Sequence, residues 1–465
     1  MLNAYCDLAN ARCTPARPGA AHPQLLLATT ILASSLAFVD GSVVNVALPA
    51  IGRALAADSA ALQWCINAYL LPLSAMLLLG GAAGDRFGRR RVLMLGTAGF
   101  ALASLGCALA PSLAELLIAR FCQGVAAAML MPNSLAILGQ SFTGARAGRA
   151  IGIWAAASSI ASAIGPVLGG WFIDLGSWRA IFLINVPIAV AALLLAWRFV
   201  PRDSHASKGS LDIAGAALAT LGLGALTWAL TMASGRGWSH LAILAAMAGA
   251  ALLAAFPVIE RSRSERALVP LQLFMSATFV GLSVLTLLIY GAFGGVLVLI
   301  PYVLIEACAY SATAAGAALL PLPFILALLS PRAGALAGRV GSRRLLGCGA
   351  LVAAAGLLLM LRIGRNADYW RDVLPAILVV SLGLAAVAAP LTNAVLGTAD
   401  SRHTGAASGL NSALARTGGL IATAVLGAVL ASRGQALLSS FHAAMLVAAI
   451  ACGIAALTAF ALVKA

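Results

Sequence analysis

Charge is what this chain of 465 residues has least of: only 9% are Asp, Glu, Lys or Arg, where a soluble globular domain carries about 25%. Acidic residues number 14, and lysine occurs only at Lys208 and Lys464. With 62% apolar residues, no water-soluble core of this size could enclose the apolar surface, whereas a bilayer solvates it. An ordinary soluble domain is therefore excluded. The eight cysteines include no CxxC pair and form no cluster with the five histidines, so no metal site is expected. They read as small buried apolar residues. No GxxxxGK[ST] stretch occurs, which argues against ATP hydrolysis by this chain, and no cofactor is expected. Residues 1–22 contain Asp7, Arg12, Arg17 and two prolines without an apolar core. They do not read as a cleavable signal, and 1–24 is expected to be a cytoplasmic tail.

What the chain has instead is a succession of apolar runs. A helix needs about 20 apolar residues to cross the hydrocarbon core. Fourteen such runs are expected, near 25–48, 61–83, 92–110, 113–138, 150–172, 180–200, 212–233, 239–259, 277–301, 312–331, 345–363, 373–396, 406–430 and 440–462. The fold class is thus all-α integral membrane, with the lipid bilayer as partner. An even number of crossings puts both termini on one side. With the termini in the cytoplasm, the internal segments hold 20 of the 29 Lys and Arg and the external segments hold seven. That asymmetry orients the chain. It also accounts for the net charge of +15 as topology, so no nucleic acid is expected as a partner.

The sequence repeats internally. Gly81-Ala82-Ala83-Gly84-Asp85-Arg86-Phe87-Gly88-Arg89-Arg90-Arg91 aligns without gaps with Gly334-Ala335-Leu336-Ala337-Gly338-Arg339-Val340-Gly341-Ser342-Arg343-Arg344. A second pair, Thr143 to Gly148 and Thr404 to Gly409, agrees. Each pair maps a helix onto one eight positions later. The expected organisation is a six-helix half over 25–200, two linker helices over 201–266 and a second six-helix half over 267–465. A repeat of this kind implies rocking about a site near the midplane.

Four ordered motifs carry a resemblance to a known family. Asp40-Gly41-Ser42-Val43-Val44-Asn45-Val46-Ala47-Leu48-Pro49 resembles LDxTVVNVALP, with Phe38-Val39 before it where Leu is usual nearby. The Gly81 segment resembles GxLaDRxGRkr, with Gly84 where Ala is common. Arg120-Phe121-Cys122-Gln123-Gly124 is similar to RxxQG. Gly165-Pro166-Val167-Leu168-Gly169-Gly170 is similar to gxxxGPxxGG, with Ala161 at its first small position. Trp178-Arg179 and Asn185-Val186-Pro187 add a softer match to WRxxFxINxP. On these residues the chain resembles the fourteen-helix drug:proton antiporters of the major facilitator superfamily, over almost everything after residue 25. The resemblance implies the major facilitator fold, no enzymatic activity, and multidrug or antibiotic efflux coupled to protons at the cell inner membrane. Hydrophobic cationic drugs are the cargo that the family implies.

Candidate residues follow from chemistry at lipid depth. Asp40 is the only acidic residue deep inside an expected span, and an intramembrane carboxyl is a functional hypothesis by default. An apolar environment favours the neutral form of a carboxyl group and a nearby cation favours its charged form; such competition allows proton exchange. At 1.5 Å rise per residue, Asp40 and Arg120 both lie about 12–14 Å below the external surface. They are expected to pair as a proton-coupling couple or as a structural ion pair. Gly81, Asp85, Arg86, Gly88 and Arg89 read as a conformational latch, or as positive-inside anchors. Gly165, Pro166, Gly169 and Gly170 form a small-residue stripe expected to make a tight seam between the halves. Asn45, Asn67, Gln123, Asn411 and Arg416 are cavity candidates. Arg416 has no acidic partner within a span, and contact with substrate or with backbone carbonyls are both open readings. The chain thus reads as a monomeric transporter of a small-molecule substrate and protons. Alternatives are an exporter dedicated to one metabolite or self-made antibiotic and, in another class, an integral-membrane enzyme or channel.

Overall fold

The computed structural model describes residues 22–142, 144–201, 213–263, 271–398 and 404–463. Most of the tail, Thr143, and most of the flanks expected around the two linker helices lie outside the described residues. The first six apolar runs form α1 (Pro23–Leu55), α2 (Ser59–Phe87), α3 (Arg89–Leu109), α4 (Leu113–Ser141), α5 (Gly144–Asp174) and the pair α6 (Ala180–Leu183) and α7 (Asn185–Phe199). Then come α8 (Ile213–Arg236) and α9 (His240–Arg263). The remainder comprises α10 (Ala277–Glu306), α11 (Ala312–Ala317), α12 (Pro321–Val340), α13 (Ser342–Leu359), α14 (Leu374–Gly397), α15 (Thr404–Val425), α16 (Gly427–Ala431) and α17 (Gly434–Leu462). No strand occurs among the described residues.

Among the described residues, eleven helices are long and apolar enough to cross a membrane. Fourteen crossings are therefore more than length and hydropathy establish. Ala217–Ala233 and His240–Phe256 are shorter apolar stretches. Three expected runs are also interrupted. Pro187 has no N–H to give Leu183, and α6 ends at Leu183; Pro321 likewise cannot bond Ala317, where α11 ends. The third interruption falls at Leu426, between α15 and α16.

Packing sorts the helices into two bundles. α1 lies against α5 and α7, α4 against α2 and α3, and these form the first. α13 with α14 and α17, and α10 with α15 and α17, form the second. α8 pairs with α9 and rests on both α2 and α15, along the seam between bundles. Large apolar side chains such as Leu102, Leu109, Trp197, Leu244 and Val447 point outward, as lipid-facing surfaces do.

The repeated segments take the same shape. Gly88 (φ +95°) separates α2 from α3, and Gly341 (φ +91°) separates α12 from α13. Each donates its N–H to the carbonyl four residues back, Gly84 or Ala337, at 3.0 Å. A positive φ of this kind is open to glycine and strained for other residues, which is why glycine recurs at both positions.

Candidate functional site

The first bundle closes around an ion pair. Asn185, the first residue of α7, turns its side chain inward, and α1, α3 and α4 bring Asp40, Ser104, Arg120 and Gln123 to meet it. Asp40 is wholly buried and Arg120 is 2% exposed. Arg120 Nη1 binds Asp40 Oδ2 directly. The other carboxylate oxygen, Oδ1, accepts from Gln123 Nε2 at 2.8 Å and from Asn185 Nδ2 at 3.3 Å. Gln123 also takes a bond from Arg120 Nη1 at 2.7 Å and gives one to Ser104 Oγ at 2.8 Å. Arg120 Nε donates to the Cys65 carbonyl at 3.1 Å. Its guanidinium lies 4.4 Å from the Tyr69 ring centroid and 5.8 Å from that of Phe182. Charge, hydrogen bonds and aromatic faces all converge on this pair, which offsets much of what it costs to take two charges out of water.

Beside the pair, on the other side of α1, lies a cavity of about 410 Å³ between the bundles. Phe38, Asn45, Trp154 and Ser158 line it from α1 and α5, and Tyr290 and Phe293 from α10. Trp154 is fixed by a bond to Ser34 Oγ at 3.1 Å. Asp40 and Phe38 are two positions apart, so they leave α1 about 200° apart around its axis. α1 is therefore the wall between the ion pair and the cavity. The cavity is aromatic and hydroxylic, a lining suited to small apolar molecules.

The cavity candidates separate. Asn45 lines the cavity. Gln123 lies off it, in the ion-pair cluster. Asn411 accepts from Thr286 at 2.7 Å within the second bundle. Asn67 is fully buried where α2 meets α15, and accepts from Thr423 Oγ1. Arg416 reaches from α15 to Met131 of α4, with Nη2 2.7 Å from Sδ.

The glycine stripe on α5 also divides. A Cβ at Gly165 would strike Ser42, and one at Gly169 would strike Val43, both on α1 of the same bundle. Gly170 instead meets the backbone of Ala312, and Gly316 on α11 meets the carbonyl of Pro166. Gly170, Pro166, Ala312 and Gly316 thus form a backbone-to-backbone contact between the bundles. Two features that sequence reasoning missed lie at the same rim. Asp174 caps α11, accepting from Ala312 N at 3.2 Å and Thr313 N at 2.9 Å. Arg53 at the end of α1 pairs with Glu306 at the end of α10 at 2.9 Å. These joining contacts gather at the rim carrying the α1–α2 and α10–α11 connections.

The opposite rim carries the Gly81 segment. Asp85 accepts from Arg89 Nη2 at 2.7 Å, and Arg89 Nη1 donates to Ala136 O of α4 at 2.9 Å. A Cβ at Gly81 would lie 3.4 Å from Pro132, Gly88 makes the turn, and Arg86 is exposed. These contacts stay within the first bundle.

Known proteins resemble the chain in sequence and shape. The profile of the Major Facilitator Superfamily matches residues 30–285 and again 282–465. The chain is 33% identical over 422 residues to the tetracenomycin C resistance and export protein of Streptomyces glaucescens, spanning 90% of this chain and 78% of that one. It is 33% identical over 403 residues to the methylenomycin A resistance protein of Bacillus subtilis, spanning 85% of each. With the cephamycin export protein CmcT of Amycolatopsis lactamdurans the identity is 36% over 408 residues, spanning 86% of this chain and 83% of that one. Among solved structures, a peptide transporter POT in complex with sulfate superposes with a TM-score of 0.71 at 13% identity, over 95% of this chain and 94% of that one. The xylose transporter XylE from E. coli superposes at 0.63 and 17% identity, over 96% of this chain and all of that one.

Proposed function

This chain belongs to the major facilitator superfamily, and from that premise we propose that it exports small, hydrophobic molecules such as drugs or antibiotics across the cytoplasmic membrane in exchange for protons. It is a membrane transporter and not an enzyme in this reading, monomeric, with fourteen crossings and both termini in the cytoplasm. Residues 25–200 and 267–465 are its two halves and 201–266 its linker pair. Relatives named as antibiotic and multidrug resistance proteins support export. The observation that carries proton coupling is the buried Asp40–Arg120 pair, one helix wall away from the cavity between the bundles.

With the termini inside, the rim joined by Arg53–Glu306 and Asp174–Ala312 is external, and this conformation is closed to the outside. Alternating access requires those contacts to part while the Phe87 rim closes. Protonation of Asp40 releases Arg120 from its counter-charge, and a loosened α1–α4 contact shifts the wall that cargo meets. The Asp85–Arg89 segment serves as the latch at the cytoplasmic rim, and Gly170 with Gly316 keeps the external seam tight against leak.

An exporter dedicated to a single antibiotic is a second reading, favoured by relatives named for one compound each. A susceptibility panel in an efflux-deficient host, with and without a protonophore, tests both. Resistance that survives collapse of the gradient removes proton coupling. Resistance to one compound alone selects the dedicated exporter.

A further inference from the structure

Arg416 is a charge without a counter-charge. It stands midway along α15, about 18 Å from the helix start at 1.5 Å per residue. On the same helix Gly418, Ile421 and Ala422 line an apolar groove with α10 and α17. Arg416 leaves α15 on the side facing the first bundle, where it meets Met131. Thr423, two turns further, points the same way and meets Asn67. The stripe that Arg416 shares is therefore the boundary where the two bundles separate during transport.

Among the described residues, no carboxylate meets Arg416 at that boundary. A thioether sulfur is a weak acceptor and carries no negative charge. The carboxylate at comparable depth, Asp40, has both oxygens engaged by Arg120, Gln123 and Asn185. The other described acidic residues, among them Asp58, Glu115, Asp174 and Glu306, sit at helix ends. A second donor along the seam is also unmatched: Asn67 Nδ2 is buried with no hydrogen-bond partner among the described residues. Asp40 and Arg120 cancel, so among the described residues Arg416 leaves the membrane-depth interior with one uncompensated positive charge. Such a charge is retained at lipid depth where it marks a substrate or ion path.

We propose that Arg416 binds the carboxylate of amphipathic organic acids, and that these form the cargo class of this exporter. The proposal rests on the export reading, because it needs cargo to pass between the bundles. It departs from the cationic drugs that family resemblance suggests. The anion displaces Met131, takes two donors from the planar guanidinium fork, and leaves its apolar body along the seam between α4 and α15.

The test uses purified full-length protein in a maltoside detergent at pH 7 and constant ionic strength. Its melting temperature is followed against decanoate and, separately, decyltrimethylammonium, which share a chain and differ in charge. Decanoate is expected to raise the melting temperature saturably and the cation is not. Arg416→Gln is expected to raise the half-saturating decanoate concentration at least tenfold, and Arg416→Lys to keep the preference for the acid. Without ligand, Arg416→Gln is expected to melt no lower than the wild type, because it removes a partly buried charge with no ionic partner among the described residues. Equal shifts by both probes, an unaltered decanoate response in Arg416→Gln, or a lower unliganded melting temperature each overturn the proposal. The last of these would mean that Arg416 holds the fold together. No proton gradient enters the measurement, so loss of proton coupling leaves it standing, and its failure leaves export itself intact.

Discussion

Asp40 and Arg120, 80 residues apart in the chain, meet as a buried ion pair whose own remaining bonds reach α2 and α7 and, through Gln123, Ser104 of α3. Four helices of the first bundle are thus tied to one carboxylate on α1. In the proposed mechanism a proton arriving at that carboxylate loosens these ties together and so couples a chemical gradient to helix movement.

Asp40→Asn keeps the shape and removes the ionisable group, and it turns one of the two accepting atoms into a donor that faces another donor. Export driven by an imposed pH gradient in proteoliposomes is expected to fall by at least tenfold, with the protein still made at wild-type levels. Unchanged gradient-driven export would assign the pair a purely structural role.

Gln123→Leu strips one bond from each of Asp40, Arg120 and Ser104. Each buried polar group left unmatched costs about 1–3 kcal/mol. A lowered melting temperature is expected in detergent, together with weaker export. Gln123→Glu would place a second carboxyl beside Asp40 and is expected to be worse, since like charges in one apolar site cannot both ionise.

Gly170→Val and Gly316→Val each push a side chain into backbone of the opposite bundle. The external rim is expected to stand open in both variants. Spin labels at positions 53 and 306, whose native side chains meet at 2.9 Å, would report a longer distance by pulsed electron resonance. Gly139→Val, which meets nothing within 4 Å, serves as the control and is expected to leave the distance unaltered.

Gly88→Val and Gly341→Val force a β-branched residue to a φ of +95° or +91°. The strain is about 1–3 kcal/mol at each. Thermal melts are expected to shift similarly for the two, whereas the loss of export is expected to be larger for Gly88, whose turn positions the Asp85–Arg89 pair.

Much of this site is legible in the sequence because a membrane helix is a ruler. Counting residues from the bilayer surface puts Asp40 and Arg120 at one depth, and they do meet. Depth says nothing about rotation, and Gln123 shows the consequence. It reads as a cavity candidate, yet its side chain turns inward to Asp40, because three residues after Arg120 it shares that face of α4. Asn185 likewise turns inward to Asp40 and Ser104 from within one long apolar run, whose composition does not say which face is inward. Contacts between the bundles are the least legible. That Gly170 would face Ala312, that Gly316 would face Pro166, and that Asp174 would cap α11 all follow from how two bundles cross, which no local pattern encodes. The division of the glycine stripe, with Gly165 and Gly169 turned to α1, has the same origin.

The Arg53–Glu306 bridge and the Asp174 cap tie the bundles at one rim, so the molecule works like a clothes peg gripped at that edge. With that edge outside the cell, a compound that clamps it arrests the cycle without ever entering the cytoplasm. Pharmacological blockade of this protein then becomes a matter of reaching an outer lip, not of outrunning the efflux it drives.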